Sequence, residues 1–92
     1  MQRCYAGESF ELRFDIRDPK DPDRAVDSAE FEVIGPAGVR TTGTMSVGED
    51  GHTVKMRFIP SEVGMHRIIV SWRMGQDAWR QPHLIQVEDA AA

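Results

Sequence analysis

Apolar and polar residues alternate one by one through most of the chain. Phe10, Leu12, Phe14 and Ile16 interleave with Glu11, Arg13, Asp15 and Arg17, the pattern of a strand with one face in a core and one in water. Asp18-Pro19-Lys20-Asp21-Pro22-Asp23 ends that run, because each proline lacks a ladder donor and aspartates favour turns. A second strand is predicted over 29–34, with Phe31 and Val33 opposed to Glu30 and Glu32, and Gly35-Pro36-Ala37-Gly38 closes it. The Thr-rich stretch 39–47 suits an exposed strand, and Gly48-Glu49-Asp50-Gly51 signals a hairpin.

The second half repeats the pattern. Val54, Met56 and Phe58 point one way across 53–59, and His66, Ile68, Val70 and Trp72 share one face of the next run. Gly75-Gln76-Asp77 turns the chain, and a last strand is predicted over about 83–87. At most one 3₁₀ turn fits 61–65. Six or seven short strands between Gly/Pro/Asp turns predict an all-β, Ig-like antiparallel β-sandwich of about seven strands. The expected organisation is an N-terminal arm over 1–7, the sandwich over 8–88 and a flexible tail over 89–92.

Composition narrows the function. A chain of 92 residues supports one core, and a fold this small buries only about 60–65% of its unfolded surface, which leaves little room for a deep pocket. The net charge of −4 repels phosphate backbones, so no nucleic-acid partner is expected. Cys4 is the only cysteine, excluding an internal disulfide or a thiolate metal cluster within one chain. The start at Met1 has no basic and apolar leader, and Ile68-Ile69-Val70 is far too short to span a bilayer. No membrane partner is expected.

The stretch from Val54 to Pro60, followed by Glu62-Val63-Gly64 and His66 to Trp72, resembles the second half of filamin-type immunoglobulin-like domains. Gly75 and Gln81-Pro82-His83 fill the family's later loop and final-strand positions. Ala6-Gly7-Glu8-Ser9-Phe10 and Phe31 to Gly38 extend the likeness, which covers about 6–87. His66 departs from it, standing where the family usually carries an aromatic residue whose hydroxyl bonds backbone. A lone domain with the run Phe58 to Gly64 also resembles, more loosely, the short Ig-like accessory proteins of tailed bacteriophages.

These resemblances imply a fold more than a chemistry. The acidic stretch Asp15, Asp18, Asp21 and Asp23, with Asp27, lacks the spacing of a calcium loop and reads as solvated turn caps. His52, His66 and His83 read as half-buried structural histidines, so no metal site is expected. No nucleophile elbow, phosphate loop or His-Glu-x-x-His motif occurs. Cys4 is expected as a free thiol at an edge or subunit contact, and neither a catalytic residue nor a cofactor is expected.

Candidate binding residues are Arg3 and Tyr5 in the arm, Ile69 and Ser71 on a strand face, and Trp79 with Arg80 before the last strand. Trp72 is expected in the core. The leading expectation is a non-enzymatic virion subunit, made in the bacterial cytoplasm. It would bind capsid, connector or tail protein in multiple copies. The alternatives are a cytoplasmic filamin-type module taking a partner peptide at a sheet edge lined by Ile69 and Ser71, or a carbohydrate-binding sandwich with Trp79 and Tyr5 as stacking platforms.

Overall fold

The computed structural model describes residues 2–90. They are all-β and contain no helix. The strands are β1 (Gln2–Tyr5), β2 (Phe10–Asp15), β3 (Ser28–Ile34), β4 (Arg40–Val47), β5 (Thr53–Phe58), β6 (Gly64–Met74) and β7 (Asp77–Glu88). They form a single seven-stranded sheet in the order β1-β7-β6-β3-β4-β5-β2. All neighbours are antiparallel except β1 and β7.

The sheet curls because β4 changes partner. It pairs with β3 as far as Met45, then with β5 through Ser46 and Val47. That short join lets the β5–β2 end lie over β6–β7, where Phe58 meets His66 edge-on at 5.6 Å and Phe14 meets His83 at 4.5 Å. Between them sit Val54, Met56, Phe58, Ile68 and Val70, the predicted inward positions of their strands, joined by Ile85 and Val87 of β7. Each such side chain contributes about 1.5–3 kcal/mol on leaving water. The outcome is half of a barrel rather than a plain pair of stacked sheets.

Two expected boundaries change. The N-terminal residues are not an arm: Gln2 to Tyr5 pair in parallel with Ile85 to Glu88, and Cys4 is buried beside Val87. Met1, and Ala91 and Ala92 of the expected tail, lie outside the described residues. The last strand begins six residues earlier than 83, at Asp77. A two-residue Gly75-Gln76 turn joins β6 to β7, with Gly75 at φ +61°, a value that glycine adopts without steric cost.

A strand of 12 residues spans about 40 Å at ~3.3 Å per residue. The β6–β7 hairpin therefore accounts for the molecule's 46 Å long axis and its radius of gyration of 14.3 Å, above the roughly 12 Å of a compact chain this long. Its turn end outruns the β2–β5 layer.

Candidate functional site

Strand alternation sorts the candidate residues onto two faces of the β6–β7 hairpin. Ile69, Ser71 and Arg80 point outward, away from the core, since their neighbours Ile68 and Val70 are buried. Arg3 and Tyr5 lie on that same outer face, because Cys4 between them points in. Trp79 is opposite Trp72 and lies on the inner face. Five of the six predicted binding residues thus share one surface, and Trp79 does not. A joint Tyr5–Trp79 platform does not form.

On the outer face, one cross-strand row reads Thr44, Glu30, Ser71, Arg80 and lines a shallow depression of about 420 Å³. The next row carries Glu32, Ile69 and Pro82, and the one after it Ile34, Arg67 and Leu84. Leu84 is 45% exposed and Met65, further along β6, 40%. The apolar residues are thus interspersed with arginines. Arg40 is tied to Glu32, and Arg3 reaches Glu88 at 3.7 Å. Arg67, Arg73 and Arg80 make no ion pair among the described residues. Arginine exceeds glutamate here, in a chain whose net charge is −4.

Ile69 and Ser71 do not sit at an edge, as the peptide-binding alternative requires. Strand β6 is paired with β3 on one side and with β7 on the other, so no peptide strand has backbone to join there. Besides the end strands β1 and β2, an open edge remains along part of β7. β1 covers Ile85 to Glu88, leaving Asp77 to Leu84 unpaired on that side.

The inner face at the turn end is built differently. Trp72 and Trp79 are parallel to within 21°, with ring centroids 6.2 Å apart. They line a cleft of about 550 Å³ with Met74 and Asp77 from the hairpin and Arg17 to Lys20 from the loop after β2. Arg24 staples that loop to the hairpin. It donates to Asp18 at 3.3 Å, to Asp77 at 3.1 Å and to the Met74 carbonyl. The bond to Asp77 leads in raising the guanidinium pKa, and the Lys20 amide holds Asp18 below its ordinary carboxylate range. Asp27 caps the Gly75 amide at 2.6 Å.

The remaining titratable candidates serve the fold. The Asp50 carboxylate accepts from the His52 amide and from the amide and hydroxyl of Thr53, which drives its pKa far down. His52 Nδ1 lies 3.3 Å from the Ile16 carbonyl, and His66 Nδ1 lies 3.2 Å from the Gly64 carbonyl. His66 therefore contacts backbone from a buried position. Burial lowers the pKa of His83 and raises that of the Cys4 thiol, which disfavours a Cys4 nucleophile at neutral pH. Among the described residues no group of three or more His, Cys, Asp or Glu is placed to hold a metal ion.

Trp72 packs against the core as expected but is only half-buried. Sequence reasoning missed that its other side lines the cleft, because its alternation matches the buried Ile68 and Val70. The signal was the turn at Gly75, which puts Trp72 and Trp79 equally far from the hairpin tip.

No protein-family model and no curated protein matches the chain. Among solved structures it is similar to a protein from Bacteroides vulgatus ATCC 8482 described as a "putative glycoside hydrolase". The TM-score is 0.58 at 17% identity, over 98% of this chain and 17% of that one. At that identity the likeness is one of fold, and this chain corresponds to a small part of the larger protein.

Proposed function

We propose that the protein is a non-enzymatic, Ig-like β-sandwich module that docks through the outer face of β3, β6, β7 and β1 onto an acidic surface of a repeated protein assembly. The resemblance to phage accessory proteins makes a tailed-phage virion the assembly we favour, in its head, head–tail junction or tail. One observation carries the reading: Arg67, Arg73 and Arg80 follow one another along the outer face of the hairpin without ion-pair partners among the described residues, and Arg67 stands directly opposite exposed Leu84, two positions from exposed Met65. Apolar anchors flanked by arginine are the composition of an interface centre, and arginines left unpaired in an acidic protein call for acidic groups from outside.

The test is recovery of particles from the producing cells. Wild-type chain should be present in them at a fixed copy number by quantitative mass spectrometry. The variant Arg67→Glu/Arg73→Glu/Arg80→Glu should fold normally and be missing from them. Absence of the wild-type chain, or full retention of the variant, contradicts the proposal.

A second reading draws on the open β7 edge. A partner peptide adding there would pair with Asp77 to Gln81 and stop at Pro82, whose nitrogen has no proton to donate. Amide shifts confined to 77–81 on peptide addition would favour it over docking through the face.

A further inference from the structure

We infer that the cleft between the Trp72–Trp79 pair and the 17–20 loop is a second binding site, which takes an acidic saccharide. It lies on the opposite face of the hairpin from the docking surface and does not depend on it. Two indole faces, parallel to within 21°, offer flat apolar area against which the C–H face of a sugar ring packs. Trp79 remains 38% exposed although inner-face positions farther along the same strand, Ile85 and Val87, are buried. An aromatic pair left open in this way is matched to a ligand that is apolar on its flat side and polar on its rim.

The rim selects the charge. Arg24 is spent on Asp18, Asp77 and the Met74 carbonyl, which fixes the walls. Lys20 lines the cleft, and its ammonium makes no close ion pair among the described residues, acting on Asp18 only through space. Arg17 is tied only to exposed Asp15, at 3.3 Å. Neither cation is held in a buried pair, so both can turn to a ligand carboxylate, while the remaining lone pairs of Asp18 and Asp77 accept from sugar hydroxyls. A cationic ligand, the other group attracted to indole faces, is repelled by the same Arg17 and Lys20. A polyphosphate would meet Lys20 and Arg17 but has no apolar face to set against the indole pair.

Trp72 and Trp79 are the chain's two tryptophans. Both also border a smaller depression with Ser71, Arg73 and Arg80, so Lys20→Glu, which alters only the cleft, assigns an emission change to it. The experiment titrates the full chain with oligogalacturonate and, separately, with a neutral malto-oligosaccharide of equal length. A saturable change in emission is expected with the uronate, and binding of the neutral sugar should be weaker by about tenfold or more, the loss of one charge-assisted bond. Trp79→Ala should abolish uronate binding. Lys20→Glu, on an exposed loop where folding is not at stake, should weaken it by about tenfold. The inference is overturned if oligogalacturonate gives no saturable change, if the neutral sugar binds equally well, or if Lys20→Glu binds like the wild type.

Discussion

The two ends of the β6–β7 hairpin follow the same alternation and reach different outcomes. Toward Gly64 and Val87 the inner face is covered by β5 and β2, and Ile68, Ile85 and Val87 are almost fully buried. Toward Gly75 the covering layer runs out. The same inner positions become Trp72 and Trp79, roofed only by a loop that Arg24 holds in place. An inward position becomes core when a second layer of sheet lies over it; where only a loop does, the outcome divides, with Met74 still buried and Trp79 left as a cleft wall. The strand pattern specifies inwardness and does not specify coverage.

The largest effect should expose that difference. Ile68→Ala at the covered end should cost about 2–5 kcal/mol, because it opens a cavity in the centre of the core. Trp79→Ala at the open end should cost only about 1–2 kcal/mol, mostly the lost ring pair and partial burial. Urea denaturation of both variants measures the gap, and equal losses would mean that the two ends are packed alike.

A smaller effect is expected from Arg24→Ala. Freed of its staple, the 17–20 loop should lift from the cleft, moving tryptophan emission to longer wavelength with little change in melting temperature. Unaltered emission would show that the loop does not depend on Arg24.

The smallest effect is a pH dependence at the covered end. Burial against Phe14 holds His83 below its ordinary pKa of 6.5, so the folded chain favours the neutral ring. The unfolded chain takes up the proton first as pH falls. Stability from this group is therefore complete above about pH 6.5 and is lost as pH drops through the lower folded value. His83→Gln should flatten that slope in melting temperature against pH. An undiminished slope in the variant would place its source elsewhere, with Asp50 acting only at far lower pH.

The covered parts of the fold were legible in the sequence. Strands β2, β5 and most of β6 alternate cleanly because each has one face in the core and one in water. β1 was not legible, since four residues with one buried cysteine carry too little pattern. The first half of β7 was missed for the converse reason. Arg80, Gln81 and Pro82 are exposed, and a strand covered on neither face has no alternation to read. The curl depends on where β4 changes partner, a long-range choice that no local residue signals. Arg3, Tyr5, Ile69, Ser71 and Arg80 were singled out separately, and only the pairing register puts them on one surface.

The most direct measurement is the copy number of Arg67→Glu/Arg73→Glu/Arg80→Glu in assembled particles, beside a Lys20→Glu/Trp79→Ala control. The triple variant should keep the wild-type fold, as surface substitutions usually shift stability by no more than about 0.5 kcal/mol. It should nevertheless be lost from particles that retain the control at wild-type copy number. Particles that hold the triple variant as they hold the wild type would contradict the outer face as the docking surface.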